Sequence, residues 1–227
     1  MRLAVFDIDG TVVRRSTERA FGRYLARHGL LGSRQVAAFV ALGLKSLPTA
    51  RAHTLKKNKG YLAGLRLDDI ERLAQAFVAT EIPPLLVPSV VARLERHVRQ
   101  GDYVAVLSGT LDAIARALAR RLGAHRGIGT LCVVENGVFR AATPLMHPFG
   151  AEKLAQAERL VAEFGLEPAD VVAYADSVHD LELLRYAGTP VAVRPDRPLR
   201  RVAVDRGWEI IDDDPRATGR RQPDAAG

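Results

Sequence analysis

Cysteine is nearly absent from this chain. Cys132 is the only one among 227 residues, so no intrachain disulfide can form, and no Cys/His spacing suits a zinc site. Long apolar runs are missing as well. The longest, residues 36–44, is nine residues, too short to cross a bilayer. Met1-Arg2-Leu3 leads straight into a strand-like run, with no separate apolar region that could be cleaved as a signal peptide. A cytoplasmic protein is the expectation. Lysine is scarce among the cations: 28 of 33 basic residues are Arg, and Lys153 is the only Lys after Lys59. There is no internal repeat. With 48% hydrophobic and 26% charged residues, the chain can bury a substantial core as one domain plus an insertion.

What is present begins at the sixth residue. Leu3-Ala4-Val5 runs into Phe6-Asp7-Ile8-Asp9-Gly10-Thr11, a short apolar strand that ends on two carboxylates spaced i, i+2. Alternation along a strand puts Asp7 and Asp9 on one face until Gly10 and Thr11 turn the chain. Close carboxylates repel, and a hard cation such as Mg²⁺, which prefers oxygen ligands, would offset that cost. Two more β-like runs end on polar groups: residues 104–107 on Ser108-Gly109-Thr110, and residues 171–175 on Asp176-Ser177-Val178-His179-Asp180. An amphipathic segment opens at Lys153 and runs to Phe164. In open parallel sheets, ligands bind at the carboxyl ends of the strands. Taken singly, these residues have plainer readings: Ser108, Asp176 and Ser177 suit helix N-caps, and Lys153 suits a solvated helix face. A chain that favours Arg so heavily yet keeps Lys at 153 points to a need for a compact charge there.

The order Asp-x-Asp-Gly-Thr, strand-Ser, Lys, Asp-Ser-x-x-Asp resembles the haloacid dehalogenase superfamily of phosphohydrolases over residues 1–211. The spacing and the ending Gly207-Trp208-Glu209-Ile210-Ile211 resemble its phosphoserine-phosphatase branch. Hydrolysis of a phosphomonoester needs a nucleophile, a proton source and charge neutralisation. Asp7 is expected to attack and form an aspartyl-phosphate, and Asp9 to act as acid and then base. The resemblance implies the same pair. It further implies Mg²⁺ held by the Asp7 side chain, the Asp9 carbonyl and Asp176, with Asp180 orienting Lys153 or a metal-bound water. Ser108 and the Gly109 amide are expected to bind the phosphoryl group, aided by the start of the following helix, and Thr11 and Ser177 to touch substrate. Dehalogenation is not expected, because Asp9 is the acid/base that phosphohydrolases use and haloacid dehalogenases lack.

The expected fold is α/β, a doubly wound Rossmann-like parallel sheet with a small helical cap inserted after the first strand. Ninety-eight residues separate Asp9 from Ser108, but only 44 separate Ser108 from Lys153, so the insertion lies in the first gap. Residues 1–13 and 86–211 are assigned to the core, 14–85 to the cap and 212–227 to a loose tail. In the cap, helices are expected over 17–28, with Phe21, Tyr24 and Leu25 on one face, over 33–45 capped by Ser33, and from Asp68 to Thr80. Residues 88–100 and 111–122 read as core helices, Glu135-Asn136-Gly137 as a hairpin, and 190–193 and 208–211 as strands.

Two features bear on substrate and partners. Phosphoserine phosphatases carry a cap Glu nine residues after the nucleophile, to read the substrate amine. Here that position is Ser16, with Glu18 two residues on, which counts against phosphoserine. His179 also replaces the usual Asn before Asp180. Residues 14–67 hold 12 Lys and Arg against one acid, a local net of +11 in a chain of +7 overall. Arg15, Arg19, Arg23 and Arg27 recur every four residues, so an anionic substrate is expected. A nucleic-acid-binding module is the first rival, but no aromatics alternate with the basic residues as stacking platforms. A membrane-surface protein using residues 36–44 is the second. That segment is apolar nearly all round, which fits a buried cap helix better. The sequence leaves the oligomeric state open.

Overall fold

The computed structural model describes residues 1–45 and 57–212. The expected tail lies outside the described residues apart from Asp212, which pairs with Arg200 at 2.5 Å. Six parallel strands form one sheet: β1 (Leu3–Phe6), β2 (Tyr103–Leu111), β3 (Arg126–Thr130), β6 (Val171–Ala175), β7 (Thr189–Val193) and β8 (Glu209–Ile211), in the order β3-β2-β1-β6-β7-β8. A separate hairpin pairs β4 (Val134–Glu135) with β5 (Val138–Phe139). The chain builds outward from β1 to β2 and β3, then returns to lay β6 on the other side of β1. The switch point therefore falls between β1 and β6, where Asp7 and Asp176 emerge.

Period-two alternation divides the core between the two faces of the sheet. Ala4, Phe6, Val104, Val106, Val172 and Tyr174 belong to one apolar cluster, and Leu3, Val5, Ala105, Leu107, Val171 and Ala173 to the other. Both faces are covered, as an all-parallel sheet requires. Helices α4 (Pro88–Arg99) and α5 (Asp112–Leu122) cover the first; α6 (Ala151–Glu163), α7 (Leu181–Tyr186) and α8 (Arg197–Asp205) cover the second. Asn136 and Gly137, at φ 52° and 74°, supply the two left-handed positions of the β4–β5 turn.

Between β1 and β2 the chain forms helices α1 (Thr17–Arg27), α2 (Ser33–Lys45) and α3 (Leu67–Thr80), the segment expected to be a cap. Phe21, Tyr24 and Leu25 are buried as expected, and Phe21 and Tyr24 pack edge-on against Phe77 of α3 at 5.2 and 5.5 Å between ring centres. The hairpin clamps the cap to the core through Gly64 N–H to Phe139 O (2.9 Å), Phe139 N–H to Leu65 O (3.0 Å) and Leu67 N–H to Gly137 O (2.9 Å).

Four local expectations change. Asp68 lies inside the first turn of α3, and Arg66 takes the cap position without a side-chain bond. Ser33 is the first residue of α2 rather than its cap. Strand β2 runs on to Leu111 through a register shift against β3, so α5 starts only at Asp112. The Asp112 carboxylate occupies that helix start, accepting from Gly129 N–H at 3.1 Å, and the helix end does not stand at Gly109. Finally, α2 is not buried: Val36, Val40 and Leu44 are all more than half exposed.

Beneath the switch point, Phe6 stacks on Tyr174 at 4.2 Å, and the Tyr174 carbonyl accepts from Asp7 N–H at 2.9 Å. His97 bridges Tyr174 Oη (2.9 Å) and Asp102 (2.7 Å), and Asp102 also accepts from Arg2 N–H at 2.9 Å. Burial works to raise the Asp102 carboxyl, but the bonds from His97 and Arg2 outweigh it and hold the group below its ordinary 3.8. Asp102→Asn should cost about 1–3 kcal/mol in urea denaturation at neutral pH. A depressed carboxyl stabilises above its unfolded pKa. The gap between wild type and variant should therefore close as pH drops below 3.8.

Candidate active site

The strand ends converge on a cavity of about 800 Å³ whose wall includes Asp7, Asp9, Ser108, Gly109, Lys153, Asp176, Ser177 and Asp180 from the core. From the cap come Ser16, Glu18, Arg19, Gly22, Phe39, Asn58 and Tyr61. Asp7 and Asp9 leave β1, Ser108 and Gly109 belong to the irregular end of β2, and Asp176 and Asp180 flank the turn after β6. Lys153 sits in the first turn of α6 with its side chain directed inward, 3% exposed despite its charge.

Its partners explain that burial. Lys153 Nζ donates to Asp7 Oδ1 at 2.6 Å and to Asp180 Oδ2 at 2.7 Å. Burial works against the ammonium, but the charges of Asp180 and Asp7 outweigh it and hold Lys153 protonated above its ordinary range. The anions are in excess. Oxygens of Asp7, Asp176 and Asp180 lie within 4.8 Å of one another around a single ammonium. Desolvation, with repulsion from the neighbouring carboxylates, pushes Asp7 well above its ordinary value and Asp176 to about 6. An all-oxygen, over-charged cluster of this kind fits a hard divalent cation. Gly10, at φ 96°, makes the crowding possible: a Cβ there would lie 2.0 Å from Asp176 Oδ2.

Asp9 is held differently. Its Oδ1 accepts from Thr17 N–H at 2.9 Å and Thr17 Oγ1 at 2.7 Å, and Thr17 Oγ1 also bonds Thr110 Oγ1 at 2.8 Å. Burial raises the Asp9 carboxyl and Thr17 partly offsets this, so the net shift is upward. Thr17 went unseen as a site residue because in the sequence it is simply the start of a cap helix.

The Ser108–Gly109 loop has its own bracing. Thr130 Oγ1 donates to Gly109 O at 2.7 Å, and His147 Nδ1 lies 2.8 Å from Thr130 Oγ1. Since that hydroxyl proton goes to a carbonyl, His147 Nδ1 is the donor in the second bond. Ser108 Oγ accepts from Thr110 N–H at 3.3 Å. Glu18 and Tyr61 were also missed, as was Lys59. The buried Lys59 pairs with Glu18 and reaches Gly109 O at 3.3 Å, while Tyr61 donates to Glu18 at 3.1 Å. No local pattern could join residues 41 apart in sequence.

Two expected contacts fall elsewhere. Thr11 is fully buried and does not belong to the cavity wall. Ser177 lines the cavity, but its hydroxyl donates to Asp196 at 3.0 Å, the residue that caps α8. Of the arginine series, Arg19 reaches the cavity, Arg27 pairs with Glu81 at 3.0 Å, and Arg15 precedes α1. His179 stands on the rim, its ring 4.9 Å from Phe149. Cys132 is no rival nucleophile, since burial pushes its thiol up to about 12.

A model of the haloacid dehalogenase-like hydrolase family matches residues 4–185. The chain belongs to that family. A phosphoserine phosphatase, SerB1, of Mycobacterium tuberculosis is 30% identical over 218 residues, covering 92% of this chain and 70% of its own. A histidinol-phosphatase of Neisseria meningitidis is 27% identical, covering 92% and 97%. A Bordetella pertussis protein of unknown function superposes with a TM-score of 0.79 at 26% identity, covering 93% and 98%. A phosphoserine phosphatase bearing a phospho-aspartyl intermediate analogue superposes at 0.60 and 18%, covering 94% and 93%, a likeness of fold. The protein is thus a haloacid-dehalogenase-type phosphoric monoester hydrolase.

The carboxylate crowding has a measurable signature. A carboxyl raised on folding stabilises below its unfolded pKa and loses that contribution as pH climbs through the folded one. In metal-free buffer, wild-type Tm should therefore fall relative to Asp176→Asn between pH 3.8 and about 6, followed by calorimetry across that range.

Proposed function

We propose that this phosphatase hydrolyses a small or medium anionic phosphomonoester through an aspartyl-phosphate on Asp7. The observation that carries the proposal is the division of labour between the oxygens of the two aspartates. Asp7 Oδ1 is engaged by Lys153, which leaves Oδ2 to attack phosphorus. Asp9 Oδ1 is engaged by Thr17, which leaves Oδ2 for proton transfer. In the first step Asp7 Oδ2 bonds to phosphorus, the ester P–O bond breaks, and the leaving oxygen takes a proton from Asp9. Burial favours that proton's presence on Asp9 beforehand. In the second, Asp9 takes a proton from water as the water oxygen bonds to phosphorus, the Asp7–phosphorus bond breaks, and inorganic phosphate leaves with Asp7 restored.

Ser108 and the Gly109 amide bind the transferring phosphoryl, while Lys153 offsets charge at Asp7 and Asp180 orients Lys153. Mg²⁺ is the proposed metal, held by the Asp7 side chain, the Asp9 carbonyl and Asp176; when bound it neutralises phosphoryl charge. Residues 14–85 act as the cap, with Arg19 at the wall reading a second anionic group on the substrate. Glu18 is already neutralised by Lys59 and bonded by Tyr61, which weighs against a simple amine-reading role and against phosphoserine. A cytoplasmic location agrees with the single cysteine.

Asp7→Asn should lower kcat by roughly a thousandfold or more. Borohydride added during turnover should convert residue 7 to homoserine in wild type only. Substantial activity in Asp7→Asn would refute the covalent route. Chelation should abolish turnover and Mg²⁺ restore it. Arg19→Glu should raise KM for doubly anionic substrates with kcat largely kept, and change p-nitrophenyl phosphate less.

A further inference from the structure

Among the described residues, the outward face of α2 gathers the largest group of neighbouring exposed apolar side chains. Val36, Val40 and Leu44, at i, i+4 and i+8, are 57%, 51% and 60% exposed, Phe39 beside them is 42% exposed, and Ala37 and Ala41 are exposed as well. No charged residue falls between Arg34 and Lys45 at the helix ends. The inward side is anchored largely by polar and backbone contact. Gln35 Nε2 donates to Ala63 O at 3.2 Å, Asn58 Nδ2 to Phe39 O at 2.8 Å, and Gly60 lies so close that a Cβ would meet the α2 backbone at 2.8 Å. The helix is thus mounted with its apolar side turned to water, which marks an interaction surface rather than unfinished packing.

We propose that this face docks on an anionic lipid surface, with the α2 side chains entering the headgroup boundary and the surrounding cap arginines facing the lipid charge. Charge selects this occupant. Residues 14–67 carry a net +11; Lys59 is bound to their one acid, Glu18, and Arg27 and Arg66 pair with Glu81 and Asp68 just outside the segment, which leaves the local surplus smaller but still positive. A second copy of this chain meeting the same face would bring two such segments together against their mutual repulsion, whereas an anionic membrane satisfies both the apolar stripe and the charge. No described helix is long and apolar enough to cross a membrane, so the association is peripheral. Phe39 belongs to both the exposed face and the cavity wall, and Arg19 of α1 lines the same cavity, so the docked surface adjoins the cavity mouth. The proposal does not depend on the catalytic assignment.

The test is co-sedimentation of the whole protein with vesicles of phosphatidylcholine alone or mixed with phosphatidylglycerol. Wild type should pellet with the mixed vesicles, less so as salt rises, and weakly or not with phosphatidylcholine alone. Val36→Glu/Val40→Glu should lower the partition coefficient by about tenfold or more. Val36→Ser/Val40→Ser, which leaves net charge unchanged, should also lower it. Both variants should keep wild-type p-nitrophenyl phosphate turnover, showing that they fold. Failure of wild type to bind the mixed vesicles, or binding by both variants equal to wild type, would overturn the proposal. So would a wild-type dimer in gel filtration that becomes monomeric in the variants without any vesicle binding, since the face would then be covered by a second copy.

Discussion

Three carboxylates meet one ammonium where β1 and β6 end, and that imbalance organises the rest of the site. Lys153 can bridge Asp7 and Asp180 only because α6 starts close beneath the strand ends with its third residue turned inward. Asp7 is in turn held from behind: its amide donates to the Tyr174 carbonyl, and Tyr174 is pinned by the Phe6 ring and by His97. The position of Asp7 therefore descends from hydrogen bonds and stacking below the sheet surface. The site's surplus negative charge suits a cation in the cavity.

Legibility in the sequence followed the range of the interactions. The strand ends at Asp7 and Asp176, the Asn136-Gly137 turn and the buried face of α1 are local signals, written in alternation, helical spacing and positive-φ residues, and they read correctly. The course of β2 through Ser108 to Leu111 did not, because its cause is a register shift against β3, a partner distant in sequence. Thr17 looked like a helix start and is one; that it also holds Asp9 depends on how the chain turns back after Gly10. The pairing of Glu18 with Lys59 spans the whole of α2 and was invisible for the same reason.

The misreading of α2 is instructive in a different way. Apolar composition shows that a segment avoids water but not which neighbour excludes it. Residues 36–44 were assigned to the cap interior because apolar helices usually belong there, yet the inward side of α2 is the one bearing Gln35 and Ala38, pressed so closely on Gly60 that only a residue without a side chain fits. Small groups inside and large apolar groups outside reverse the usual arrangement, and hydropathy summed around the helix cannot register that reversal.

The bond between Thr17 and Asp9 ties the start of α1 directly to the turn that follows β1. Thr17 is the first residue of α1, so any swing of that helix away from the sheet withdraws two donors from the Asp9 carboxylate at once. The proton affinity of Asp9 then becomes a function of helix position: seated, it is moderated by both Thr17 donors; lifted, it faces water with neither. In this fold the proton affinity of that carboxyl is coupled to the seating of the helix whose first residue touches it.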